Sequence, residues 1–447
     1  MSRVDPTDEE RYPLLSDAGR RTLQRLREHA NAPIFRNQSG NRLTAEDLER
    51  VVTFEQETRD AWPRWREGEE PAWISSFVAH ALETVPHYKG YGREPGSALT
   101  TLPTISRADL SLDIARFVPD DVAIDRLIHF TTSGTTGHPL MVASHPTVAA
   151  SYLALHKKAL RHFGVELRAG AGEVGVVLVG FQHKTFTYVS VTPQMGEAGL
   201  AKINLVLDDW NDPADREKYL DALDPEMYSG DPVSFTELLS LPLGTKPRAL
   251  LSTGMTLLPQ LRATLEKRFG CPVVDVYSLN EAGPIAFADG EVWRLLQHRM
   301  YVEILDEEGR RAAPGELGEV TLSGGFNDWL PLVRYRTGDF ARMVFHGNEP
   351  RLTELSGRAP VRFVATNGAW LNNIEVTHAL GRFALGQWTL LQRKDKSFEL
   401  RSRGGNADEL RDALRALFGK GAVIDVDTAA TFDGKVKQYT SELGTTT

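Results

Sequence analysis

At 447 residues, with 41% hydrophobic and 25% charged residues, the chain has the composition of a globular protein with room for two or more domains. A net charge of −9 argues against a general nucleic-acid-coating role, which needs a basic surface. A single cysteine, Cys271, excludes an intrachain disulfide framework and a Cys-rich zinc site; it reads as a buried small apolar residue.

The opening residues "MSRVDPTDEERYPLL" carry no apolar signal core, and no apolar run is long enough to span a bilayer, so a cytoplasmic protein with no membrane partner is expected. From about Asp17 to Pro86 the spacing is helical, with Thr44 and Asp47 as a start signal ahead of "LERVVTFEQETRDAW", and the stretch reads as a helical N-terminal layer. Next comes "HFTTSGTTGHPLMV". Its apolar flanks, Leu127, Ile128, Phe130 and Leu140 to Val142, read as strands around a tight loop. Gly134 and Gly137 permit positive φ and close backbone approach, and the hydroxyls of Thr131, Thr132, Ser133, Thr135 and Thr136 add donors. Such a loop suits a polyphosphate; an ordinary polar hairpin is the alternative reading.

Strand-like and helix-like pieces then alternate: "VGVVLVGF", the helix "ADREKYLDAL", "RALLST", the helix "LPQLRATLEKRF" and "PVVDVYS". This predicts an α/β domain with a partly parallel sheet. From Glu291 the pattern turns to strand and turn, read as a smaller β subdomain, and a compact tail follows in which "WTLLQR" and "SFELRSR" read as strands and "ADELRDALRALFG" as an amphipathic helix. The string "GAGEVG", Gly170 to Gly175, matches a dinucleotide fingerprint, but its strand follows instead of preceding it, which rules that reading out. P-loop, zincin and nucleophile-elbow strings do not occur.

The strings "TTSGTTGHP", "LSTGMTLLP", "VYSLNEAG", "RYRTGDF", "LSGRAP" and "DGKVKQ" remain, in that order. Together with "LPTISRADL" they resemble the adenylate-forming superfamily of acyl-CoA ligases, adenylation domains and luciferases, and most closely its phenylacetate-CoA ligase branch. The resemblance runs from about Val85 to the C-terminus. It implies an α/β fold with a large multi-subdomain N-terminal adenylate-forming domain, residues 1–356, and a small mobile α+β C-terminal cap, residues 357–447. It also implies ATP and Mg²⁺ as cofactors, a carboxylic acid substrate, CoA or an amine as acceptor, and leaves room for a homodimer.

By the same resemblance Thr132, Ser133, Gly134, Thr135, Thr136 and Gly137 close over the β- and γ-phosphates of ATP. Gly254 lets adenine pack against backbone, with Tyr277 as an aromatic surface. Glu281 holds Mg²⁺, a hard cation that takes a carboxylate together with phosphate oxygens. Asp339 accepts the ribose hydroxyls, as an acceptor-only carboxylate can. Arg358 bonds ribose or phosphate, and Lys435 reaches the α-phosphate and the attacking carboxylate, with Lys437 as the competing lysine. For the acid pocket the candidates are Phe181, His183, Phe186 and Tyr188, with Gln182 and Lys184 as polar orienters; core packing is the alternative for the aromatics.

Two departures stand out. His138 occupies a position where the family usually carries Lys or Arg, and Pro360 and Val361 replace a pair of acids, the first of which is the usual hinge between the adenylating and thioester-forming poses. Proline restricts φ there, which places CoA transfer in question. The expected function is therefore ATP-dependent activation of a small, aromatic carboxylic acid as acyl-AMP. Alternatives are adenylation of nitrite for diazotisation of an aryl amine, and a nucleotide-binding regulator without catalysis.

Overall fold

The structure, a computed structural model, describes residues 6–91, 99–131, 140–182, 185–357, 361–432 and 436–443. It divides into two compact units, one made of Met1–Asn41, Val165–Asp275 and Pro360–Thr447, the other of Arg42–Gly164 and Val276–Ala359.

In the first unit the strands Ala249–Thr253, Met227–Gly230, Val174–Gly180 and Ala198–Asn204 run parallel in that order, and Tyr188–Thr192 closes the edge antiparallel. The near-continuous apolar sequence of Val174–Gly180 is what a central parallel strand covered on both faces requires. Helix Asp17–Glu28 places Leu23 and Leu26, three residues apart, in the same core as Val177 and Ile203. The tail of this unit has a core of its own, in which Phe363, Leu390, Phe398, Leu414 and Phe418 gather with Leu258. Strands Trp388–Gln392 and Phe398–Ser402 alternate buried and half-buried residues, and helix Ala407–Phe418 caps through Asn406. This is the smaller C-terminal α/β domain that the sequence leads one to expect. Cys271 is half-buried, not fully buried, and burial pushes its thiol up to about 12.

The second unit holds an antiparallel run of strands in the order Met300–Leu305, Leu317–Gly324, Leu332–His346, Glu349–Ser356, Val292–Leu295 and Gly283–Asp289, with the last strand pairing to the end of Val273–Leu279. No separate β subdomain therefore starts at Glu291. The Asp289–Val292 turn is a hairpin that joins the strands on either side into one sheet, and a turn signal in sequence cannot tell a hairpin from a boundary. The helical stretch at the N-terminus is divided between the two units. Helix Asp17–Glu28 belongs to the first unit, whereas Ala45–Thr58, with a Thr44/Asp47 capping box, and Ile74–Thr84 belong to the second. Strands Ile128–Thr131 and Met141–Ser144 pair antiparallel around the Gly/Thr loop, as their apolar flanks predict. Among the described residues no helix is long and apolar enough to cross a membrane.

Helix Pro146–His162 buries a lysine in this second core. Lys158 is 1% exposed; its Nζ donates to the carbonyls of Ala61 at 2.6 Å and Leu296 at 2.7 Å and lies 4.1 Å from the Trp62 ring centre. Burial, with Arg161 adding repulsion, pushes its pKa down to about 7. Between about pH 7 and the ordinary lysine range the unfolded chain thus holds a proton that the folded chain has lost, so this group makes stability rise with pH through that window. Urea unfolding at pH 7 and pH 9 is expected to show a larger gain for the unmodified chain than for Lys158→Met; equal gains would place the charge elsewhere.

Candidate active site

The string "VYSLNEAGP" forms the end of one strand, a turn and the start of the next. Gly283 has φ +71°, and a Cβ there would meet the Phe326 ring at 2.5 Å, so only glycine fits the turn. Glu281 sits at its apex, 4% exposed. Donors from three other elements fix this turn. Tyr152 Oη donates to the Asn280 carbonyl at 3.1 Å, Gln297 Nε2 donates to the carbonyls of Ala282 at 2.7 Å and Pro284 at 2.8 Å, and Tyr335 Oη donates to Glu281 Oε1. Gln297 thereby satisfies carbonyls at the turn and at the irregular start of the following strand.

The string "RYRTGDF" lies on strand Leu332–His346, whose register shifts twice against Leu317–Gly324. These irregularities bring φ to +48° at Arg334 and +78° at Gly338. Arg334 is strained but heavily tied: its Nη1 donates to the carbonyls of Thr100 at 2.9 Å and Leu102 at 2.6 Å. Glu319 holds the irregular stretch beyond, accepting from Gly338 N at 2.9 Å and Arg336 Nε at 2.7 Å, while Thr337 Oγ1 accepts from Asp339 N at 3.0 Å. Asp339 then accepts from Tyr277 Oη at 2.7 Å. The pairing of Phe340 with Ser356 brings "LSG" alongside, so that a Cβ at Gly357 would lie 3.5 Å from Asp339 Oδ1. Burial first, and then the neighbouring acid, holds both Tyr277 and Tyr335 well above the ordinary phenol range. Both phenols are donors, and both acids receive them.

Tyr277, Glu281 and Asp339 are thus brought together within the second unit. Gly254, with φ +80°, follows strand Ala249–Thr253 in the first. Phe181, also in the first unit, is half-buried with the Arg403 guanidinium 4.4 Å from its ring centre; Phe186 is 66% exposed; Tyr188 opens its strand opposite Lys202. Gln182 is tied by backbone bonds to the Asn204 amide. Lys437 is exposed and precedes strand Tyr439–Ser441. Thr132, Ser133, Gly134, Thr135, Thr136, Gly137, His138, His183, Lys184, Arg358, Pro360 and Lys435 lie outside the described residues. Among the described residues no group of three or more His, Cys, Asp or Glu side chains could hold a metal ion.

Sequence reasoning did not single out Tyr335, Gln297, Tyr152 or Glu319. A signal existed for Glu319, an acid within the apolar strand "LGEVTLSG". Its replacement by alanine strands a backbone N–H and part of a guanidinium, and is expected to cost about 2 kcal/mol in urea unfolding; a change below a few tenths would show that the irregular stretch holds itself.

The mixed α/β architecture with its smaller C-terminal domain is the adenylate-forming fold. A 2-hydroxyisobutyryl-CoA ligase in the postadenylation state, in complex with R3-HIB-AMP, matches with a TM-score of 0.62 at 15% identity, over 86% of this chain and 96% of that one. The family profile of AMP-binding enzymes matches residues 77–327, and the chain belongs to that family. Its relatives include the phenylacetate-coenzyme A ligase of Aromatoleum evansii, 26% identical over 318 residues, 63% of this chain and 68% of that protein. The phenylacetate-coenzyme A ligase of Pseudomonas putida is 33% identical over 111 residues, which span 22% of this chain and only 25% of that protein.

Proposed function

We propose that this enzyme joins a small carboxylic acid to AMP at the expense of ATP and then passes the acyl group to coenzyme A. The observation that carries this reading is the meeting of Tyr277, Glu281 and Asp339, contributed by two separate family strings, within one unit. In the first step a carboxylate oxygen attacks the α-phosphorus and the bond to pyrophosphate breaks. In the second a thiol sulfur attacks the acyl carbon, AMP leaves and the thiol proton is released.

The residues divide the work. By the family resemblance Thr132 to Gly137 are assigned to the β- and γ-phosphates, Gly254 and Tyr277 to adenine, Asp339 to the ribose hydroxyls, Arg358 to ribose or phosphate, and Lys435 to the α-phosphate and the attacking carboxylate. Glu281 fits Mg²⁺ in its chemistry: a buried carboxylate has acceptor positions beyond the one its phenol uses, and a lone acid leaves the remaining shell to phosphate oxygens and water, as this ion prefers. When bound, the ion neutralises phosphate charge. For the acid, Phe181, His183, Phe186 and Tyr188 favour an aromatic ring, Phe186 as the most exposed of the described ones. The site of action is the cytoplasm, and light scattering would test a homodimer.

Pyrophosphate release, measured with ATP and aryl acids, aliphatic acids or nitrite with an aryl amine, tests the reading. Release with an aryl acid, and a thioester when CoA is added, is the expected result. Release only with nitrite and amine would replace the substrate, and no release with any acid would remove the catalysis. Because Pro360 stands at the hinge position, AMP release with and without CoA is the measurement that fixes the acceptor.

A further inference from the structure

Two strings of the second unit share one spacing. In "YSLNE" Tyr277 precedes Glu281 by four residues, and in "YRTGD" Tyr335 precedes Asp339 by four. Their hydrogen bonds cross over. The phenol of the first string serves the acid of the second, Tyr277 to Asp339 at 2.7 Å, and the phenol of the second serves the acid of the first, Tyr335 to Glu281.

We propose that these two bonds form a reciprocal clasp that couples the ribose site at Asp339 to the cation and phosphate site at Glu281, so that filling one strengthens the other. The inference rests on the roles given to those two acids above. A carboxylate on a free rotor loses rotational freedom when it takes a ligand, and a phenol that already fixes its plane lowers that loss. Here each fixing phenol is anchored in the string that carries the other acid. Tyr277 stands near the end of its strand, ahead of the turn that bears Glu281, and Tyr335 stands ahead of the irregularity at Gly338 in the strand that bears Asp339. The backbone of the turn and that of the irregular strand segment are tied down separately, by Gln297 and Tyr152 in one case and by Glu319 in the other. Movement of either acid therefore reaches the opposite string through its phenol. Ordering one acid with a ligand orders the other, which is positive coupling without a large change of shape. Tyr277 and Tyr335 are positioning residues in this scheme, and the Tyr277 ring keeps its place beside adenine.

Calorimetry of ATP, 2′-deoxy-ATP and 3′-deoxy-ATP on the full chain, at trace and at saturating Mg²⁺, reads the coupling without turnover. In the unmodified chain the preference for ATP over the deoxy nucleotides is expected to grow by roughly 5-fold or more when Mg²⁺ saturates. Tyr335→Phe, which removes the donor to Glu281, is expected to abolish that growth, and Tyr277→Phe, which removes the donor to Asp339, to raise the Mg²⁺ needed for half-maximal ATP binding. Phenylalanine keeps each ring, so packing is retained. A preference for ATP that is the same at both Mg²⁺ levels overturns the clasp while leaving the ribose assignment standing. Effects confined to the directly bonded site in each variant also overturn it. No preference for ATP at any Mg²⁺ overturns the ribose assignment and the clasp with it.

Discussion

Replacing Lys435 by alanine is expected to slow adenylation on the order of 100- to 1,000-fold while ATP binds nearly as before. Charge accumulates on the α-phosphorus and its oxygens only as the acid attacks, so an ammonium aimed at that point contributes chiefly in the transition state. Loss of such a group lowers kcat and kcat/KM together and leaves the nucleotide Kd almost unchanged. The magnitude follows the removal of one donor from a preorganised anion-stabilising site. Lys437 offers the control: it is exposed, two residues further on, and close to strand Tyr439–Ser441. Single-turnover formation of acyl-AMP separates the two. A large loss in Lys437→Ala with little change in Lys435→Ala would move the role by one position pair.

Much of this architecture is legible in the chain because local periodicity encodes it. Strand Val174–Gly180 announces burial on both faces by its unbroken apolar run, and the helices Asp215–Leu223 and Pro259–Phe269 by their spacing. What periodicity does not encode is the partner of each surface. Helices Asp17–Glu28 and Ala45–Thr58 look alike in sequence yet serve different units, and the strands after Glu291 extend a sheet that begins earlier. The site divides the same way. Glu281, Tyr277 and Asp339 can be picked out because each lies inside a short string of defined composition. The donors that orient them cannot, since Gln297 reaches Ala282 from 15 positions away and Tyr335 reaches Glu281 from 54. Only the repeated four-residue spacing of tyrosine and acid hints at the second contact. Phe186 shows a different limit: alternation does not say which of two neighbours faces the core, and here Thr187 is buried while Phe186 is 66% exposed.

Asp339→Ala is expected to weaken ATP binding by about 100-fold or more, because a carboxylate that accepts two ribose hydroxyls makes two charge-assisted hydrogen bonds, each worth about 1.5 kcal/mol or more. On this assignment the two bonds would act in the bound ground state and in the transition state alike, so KM should rise far more than kcat falls. That is the reverse of the pattern expected for Lys435, and the pair of variants therefore separates binding from chemistry in one assay. The change also removes the acceptor of the half-buried Tyr277 phenol, and a part of any loss belongs to that orphaned donor. Two controls isolate the ribose contribution. Asp339→Asn keeps an oxygen for one partner and should lose less, and the alanine variant should bind ATP and 2′,3′-dideoxy-ATP almost equally, since the group that told them apart is gone. Calorimetry reads both. If Asp339→Ala holds ATP as tightly as the unmodified chain, or still prefers it over the dideoxy nucleotide by the original factor, then the ribose is held by another residue and the acid in "RYRTGD" serves only to seat Tyr277.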